Sequence, residues 1–154
     1  SVEAGDCYAA YRALLGLGLE PILALSAIQD VVATRPVRRI CDHCRTEFVP
    51  TEAHARQVSE LLGSPGASRF SQGAGCERCR NTGYQGRLLV VEVSIATNEI
   101  RDALARGASA AEVKEAMRRE GWRSFAEMAL VPLLEGTTTL QEVIALQHDA
   151  ALRT

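Results

Sequence analysis

Residues 75–93, "GCERCRNTGYQGRLLVVEV", decide how the chain is to be read, because they place a C-x2-C turn directly ahead of a glycine-rich tail and an apolar run. Cys76 and Cys79 are half of a metal-ligand pattern. The other half is "CDHC", Cys41 and Cys44, with thirty-one residues between the pairs. Each C-x2-C turn aims two thiolates at one point, and two such turns supply the four soft ligands of a tetrahedral zinc site. The interval exceeds the usual ribbon spacing, so a helix or loop is expected inside it. Four thiolates close the metal's shell, which makes the expected role structural rather than catalytic. A disulfide pairing suits an oxidising compartment, and a thioredoxin-like redox role calls for one C-x2-C beside a βαβ pattern, which is missing here.

The remaining candidates for chemistry read as ordinary structure. His43 lies between two ligands and is expected to face outward, while His54 and His148 sit in polar helical stretches and read as solvated. Cys7 lacks a second thiol and reads as a small buried hydrophobe. No G-x4-G-K-[ST] loop is present, and no Ser, His and acid set has a recognisable local context, so no catalytic residue is assigned. Apolar runs such as Leu88 to Val91 fall far short of the roughly 20 residues a spanning helix needs, so the chain is expected to be cytosolic.

The 154 residues are 47% hydrophobic, enough to bury a core, with a formal net charge of -2. The charge is uneven: residues 35–87 hold nine arginines against five acids, and Lys114 is the sole lysine. Such a stretch can face a polyanion. A four-thiolate zinc centre, however, adds a charge of roughly -2 that offsets the arginines.

Outward from the cysteines, Tyr8, Tyr11, Leu14 and Leu15 set a helical stripe over residues 8–19. Pro21 opens a second helix in its favoured first-turn position, with Ile22, Leu25, Ile28, Val31 and Val32 as its buried stripe and Pro36 as its end. Thr51 to Leu62 reads as a short helix stopped by Gly63, and "GSPGAS" (63–68) as a loop. "GRLLVVEVS" (86–94) reads as one strand with no evident partner. Beyond it, a segment Asn98 to Ala105 and three capping boxes, Ser109 with Glu112, Ser124 with Glu127 and Thr139 with Glu142, predict four short helices. Gly107, Gly121 and Gly136 fall between them, and Pro132 should kink or shorten the third. Trp122, Phe125, Leu130 and Leu134 are expected in the core.

The order of these pieces resembles the carboxy-terminal part of the type II secretion and type IV pilus assembly ATPases, hexameric RecA-like motors. The resemblance is carried by "YRALLGLGLEP" (11–21), "VVATRPVRRICDHC" (31–44), "GCERCRNTGYQGRLLVVEV" (75–93) and "GWRSFAEMALVPLLEGTTTLQEV" (121–143). It implies an α+β, mostly α chain: residues 1–35 the helical end of the motor core, 36–87 a zinc-binding insert held by Cys41, Cys44, Cys76 and Cys79, and 88–154 a strand and terminal helical bundle. It also implies that ATP and Mg2+ act only in the parent motor, in a P-loop region expected upstream of "SVEAGD" (1–6). The implied partners are that upstream part, neighbouring subunits of a homo-hexamer and an inner-membrane platform, on the cytoplasmic side without membrane insertion. Two departures bear on activity: Glu3 stands where the family has a histidine, and Thr34, Arg35 and Pro36 where it has Gln-Arg-Leu. The competing expectation is a free-standing zinc-ribbon module contacting nucleic acid or a protein through Arg38, Arg39, Arg45, Arg78, Arg80 and Arg87. Phe48, Phe70 and Tyr84 are then the few aromatics available for stacking, so nucleic acid is the less expected partner.

Overall fold

Asp6 starts the first helix by accepting from the Ala9 amide at 2.6 Å, and α1 (Cys7–Leu15) ends at Gly16. The computed structural model describes residues 2–62 and 69–151, with the side chains of 61–62 and 148–151 left out. The expected loop 63–68, with Gly63 as a helix stop, and the side chain of His148 lie outside the described residues. Glu20 caps α2 (Pro21–Ser26) by accepting from Leu23 N at 3.0 Å, with Pro21 in the first turn as its fixed φ favours.

The second helix does not reach Pro36. From Asp30 the chain is extended, forming β1 (Asp30–Ile40). The run Asp30-Val-Val-Ala-Thr is rich in β-branched residues, whose stiff side chains favour a pleated strand over a helix. Its period is two: Val31 and Val37 are buried and Ala33 and Arg35 half-buried, whereas Val32, Thr34, Pro36 and Arg38 are exposed. Of the expected helical stripe only Leu25 and Val31 are buried, while Ile22 is 68% and Val32 58% exposed. Pro36 is tolerated because β1 belongs to a two-stranded sheet, where alternate amides face away from the partner.

That partner is β4 (Tyr84–Ile95), the strand expected from "GRLLVVEVS". Cys41 N donates to Gly83 O at 3.0 Å and Ala96 N to Gln29 O at 2.9 Å, so the start of each strand lies against the end of the other and the pair is antiparallel. Between the cysteine pairs, β2 (Arg45–Phe48) and β3 (Phe70–Gly73) form a second antiparallel pair in the register Arg45↔Gly73 to Phe48↔Phe70. These flank α3 (Glu52–Leu62), whose first turn is closed by Thr51, the acceptor of the His54 amide at 3.4 Å. His54 itself is half-buried rather than solvated.

The helices after β4 follow the sequence closely, with two corrections. Helix α4 (Asn98–Ala105) is followed by α5 (Ala110–Arg119), which carries the Ser109–Glu112 capping box in full. The third expected helix is split into α6 (Phe125–Met128) and α7 (Leu130–Leu134). Pro132 has no amide for the Met128 carbonyl and its ring crowds that position, so the break falls there. Leu134 is 48% exposed and Leu133, at 1%, takes the inward place, three residues from Leu130 on the same face. Last comes α8 (Leu140–Ala151). Its predicted capping box is not made, because the Glu142 carboxylate is engaged elsewhere, as described below.

Two compact units interleave along the chain. One comprises residues 1–34, 91–124 and 149–154, and the other 35–90 and 125–148. The first has its own core of Cys7, Tyr11, Leu25, Ile100, Met117 and Trp122 with smaller neighbours. Full burial of a side chain such as Leu25 or Ile100 contributes about 1.5–3 kcal/mol. Within this core the fully buried Glu92 carboxylate accepts from Cys7 N at 3.1 Å and Trp122 Nε1 at 3.3 Å, adding a second acid to the amino-terminal end of α1, where a negative charge is favoured. In the second unit α3 packs on α6 and β3 on α7.

Candidate metal centre

The first turn forms where β1 ends: Cys44 N bonds Cys41 O at 3.2 Å, and the chain enters β2 at Arg45. The second is a tight 3-10 turn, Glu77–Cys79, in which Cys79 N and Asn81 N both bond Cys76 O, at 3.2 and 2.8 Å. Arg80 and Asn81 follow in the left-handed region at φ 53° and 60°, which turns the backbone back toward β1. Thr82 fixes that reversal, its hydroxyl donating to Cys79 O at 2.6 Å.

Two glycines make the approach possible. A Cβ on Gly73 would lie 2.0 Å from the Gly83 carbonyl oxygen, and one on Gly83 would lie 2.5 Å from the Gly73 oxygen. Both obstacles are backbone and cannot swing aside. At Gly83 a φ of 76° adds a second reason for glycine. Gly83 O in turn receives Cys41 N, and Ala74 N bonds Cys44 O at 2.9 Å, so each turn is hydrogen-bonded to the chain around the other.

The result is four sulfurs facing one point. Cys41 and Cys76 Sγ are 3.9 Å apart, Cys44 and Cys79 3.8 Å, Cys76 and Cys79 3.7 Å, and all four lie within 4.8 Å of one another. Thiolates at about 2.3 Å from a tetrahedral zinc ion stand about 3.8 Å from each other, so the donor set and its spacing fit that ion. Cys41 and Cys79 are buried, and Cys44 and Cys76 half-buried.

The protein also prepares the charge. Burial opposes ionisation of Cys79, but the Cys76 and Gly83 amides, 3.2 and 3.3 Å from its sulfur, together with hydrogen bonds from the Cys76 and Cys44 thiols, outweigh it and pull the thiol down to about 6. Burial, followed by hydrogen bonding to the other sulfurs, pushes Cys44 up to about 12.

All four predicted ligands are therefore brought together, and His43 is exposed as expected, its Nε2 2.8 Å from Arg78 Nη1. Cys7 is fully buried, donates to Val31 O at 3.4 Å, and is pushed up to about 12 by burial and then by the charge of Glu92. Some of the arginines are committed: Arg39 pairs with Asp42 at 2.8 Å and Arg69 with Glu47 at 3.5 Å. Arg45, Arg80 and Arg87 are exposed without an ion pair among the described residues.

Sequence reasoning missed a cluster beside the centre. Arg38 N donates to Glu142 Oε2 at 2.7 Å, and its Nε and Nη2 both reach Glu142 Oε1 at 2.8 Å. The same guanidinium lies 4.0 Å from the centroid of the Tyr84 ring, whose hydroxyl is 3.1 Å from Thr139 Oγ1. Thr138 Oγ1 donates to Arg38 O at 2.8 Å and Ile40 N to Thr137 O at 2.9 Å. The signal was present in the ending "GTTTLQEV" (136–143), but a Thr and Glu three apart read first as a cap.

The type II/IV secretion system protein family, compared as a sequence profile, matches residues 1–145. The chain belongs to that family. Among members of the type II/IV secretion system protein family, it is similar to a type IV pilus assembly ATPase of Thermus thermophilus, 37% identical over 145 residues, covering 94% of this chain and 16% of the relative. A type II secretion system protein of Pseudomonas aeruginosa is 32% identical over 150 residues, 97% of this chain and 28% of that protein. A type II secretion system protein E of Dickeya dadantii is 27% identical over 149 residues, 97% and 29% of the two lengths. The chain thus spans less than a third of the length of these relatives. Glu3 is exposed ahead of α1, and Thr34 and Pro36 are exposed on β1. Among the described residues no helix is long and apolar enough to cross a membrane.

Proposed function

We propose that Cys41, Cys44, Cys76 and Cys79 hold one structural zinc ion, and that the chain is the zinc-bearing carboxy-terminal portion of an ATP-hydrolysing motor for type II secretion or type IV pilus assembly. The observation that carries the reading is the set of four sulfurs within 4.8 Å of one another in a chain that matches the family over residues 1–145. When bound, the ion cross-links two turns that are separated by β2, α3 and β3, and its binding free energy becomes folding free energy. Four thiolates leave no open position, so the chain's part is structural. It orders one unit of the motor and presents surface to neighbouring parts. ATP and Mg2+ act in the larger portion of the parent, a RecA-like core assembled as a homo-hexamer on the cytoplasmic side of the inner membrane, where it works on the assembly platform.

The test is metal content by mass spectrometry under non-denaturing conditions. One zinc per chain is expected, lost in Cys41→Ser, together with no ATP turnover by the 154-residue chain. A chain without metal, or a Cys41→Ser variant that keeps it, refutes the zinc assignment. Fusing the chain to the remainder of a relative in place of its own segment tests the motor assignment: ATP turnover and assembly are expected to return.

A further inference from the structure

The helix at the end of the chain is seated on the two segments that carry the cysteines. Arg38 and Ile40 lie three residues and one residue ahead of Cys41, and Tyr84 five residues beyond Cys79. Four polar groups of residues 137–142 bond to these strands: Thr137 O to Ile40 N, Thr138 Oγ1 to Arg38 O, Thr139 Oγ1 to Tyr84 Oη, and the Glu142 carboxylate to three donors of Arg38. Thr138 and Thr139 are 0% and 2% exposed, so their hydroxyls depend on these partners once docked. Farther along, Gln147 Oε1 accepts from Gln57 Nε2 of α3 at 2.6 Å. With 12 residues, α8 is at the length where an isolated helix is marginal in water. It needs its seat, and the seat is the paired ends of β1 and β4 that run into the two cysteine turns, where the sulfurs add a second tie to the strand pairing.

We propose that the docking of α8 is conditional on the metal: loading the cysteine centre orders residues 137–147, and its loss releases them together with the segment between the cysteines. The inference rests on the zinc reading and extends it to a stretch that holds no ligand. By linkage the coupling is reciprocal, so weakening the seat at Glu142 must weaken the metal.

The experiment is hydrogen exchange read by mass spectrometry on the 154-residue chain, loaded with one equivalent of zinc and after its removal by a soluble chelator. Without metal, amides 140–147 are expected to exchange about 100-fold faster, in step with 35–48 and 76–90. Those of α4 and α5, which belong to the other unit's core, should stay within about threefold. In the second arm, Glu142→Ala is loaded with zinc and titrated with a chromogenic chelator; the loss expected for a group outside the ligand shell is about tenfold in affinity. Protection at 140–147 that outlasts the metal, or an affinity unchanged within twofold in Glu142→Ala, overturns the coupling while leaving the zinc site intact. A chain that takes up no zinc overturns the site, and the coupling with it.

Discussion

Replacing Gly73 by alanine tests how the cysteine centre is built. Its φ is not in the left-handed region, so alanine is conformationally acceptable there and the effect is purely steric. The new Cβ would stand 2.0 Å from the Gly83 oxygen, whereas ordinary contact begins at 3.4 Å, so the two backbones must separate by 3.4 − 2.0, about 1.4 Å. Gly83 O also accepts from Cys41 N at 3.0 Å, so that displacement breaks the bond joining the two turns. A metal site tolerates ligand misplacement of about 0.2 Å, one-seventh of the shift required. Over-packing against backbone should therefore cost about 3 kcal/mol in folding stability. The loss in zinc affinity should exceed about 100-fold, beyond the usual effect of a residue outside the ligand shell. The assay is competition with a chromogenic chelator alongside a chemical melt. Gly18→Ala is the control: its φ is 77° but nothing lies within 4 Å, so about 1 kcal/mol and no change in metal affinity are expected. If Gly73→Ala binds zinc within threefold of the parent chain, the close approach is not what positions the sulfurs.

Two further predictions concern the other unit. Burial and then the charge of Glu92 raise the Cys7 thiol from 9.0 to about 12, so its neutral form favours folding. That stability is complete below pH 9 and is lost as pH rises toward 12, by about 1.4 kcal/mol per pH unit. Urea melts between pH 8 and 10.5, a range chosen to bracket roughly the free thiol's pKa, should show a steeper alkaline decline than in Cys7→Ala; parallel declines would contradict the assignment. Glu92→Ala strands the Cys7 amide and the Trp122 indole N–H, two buried donors, and should cost about 3 kcal/mol. Near-ultraviolet circular dichroism of the Trp122 signal during a thermal melt checks this, and a loss below about 1 kcal/mol would show that other groups satisfy those donors.

Local chemistry was legible in the sequence wherever it depends on near neighbours. The C-x2-C pairs, the Ser109–Glu112 cap, α4 at Asn98–Ala105 and the effect of Pro132 all follow from residues a few positions apart. Where a residue's partner is remote and no ligand motif marks it, the sequence pattern pointed to the wrong neighbour. Val31, Leu25 and Ile28 fit a helical period, yet the chain is extended from Asp30 because it pairs with β4, more than 40 residues on. Short apolar runs are ambiguous in this way, and the β-branched content was the better arbiter. Glu142 is the same lesson at the site: its spacing from Thr139 matches a cap, but Arg38, 104 residues earlier in the chain, offers it two guanidinium donors and its backbone amide.

The interleaving of the two units also bears on how such a chain is made and rearranged. Residues 35–90 leave the ribosome well before 125–148, so during synthesis the cysteine-bearing unit waits for its second segment, while the other unit has nearly all of its parts by residue 124. For the same reason the stretch from the first cysteine pair to the second is not a transplantable cassette. An exchange between relatives that respects the unit must carry two segments, 35–90 and 125–148, and leave the intervening helices behind.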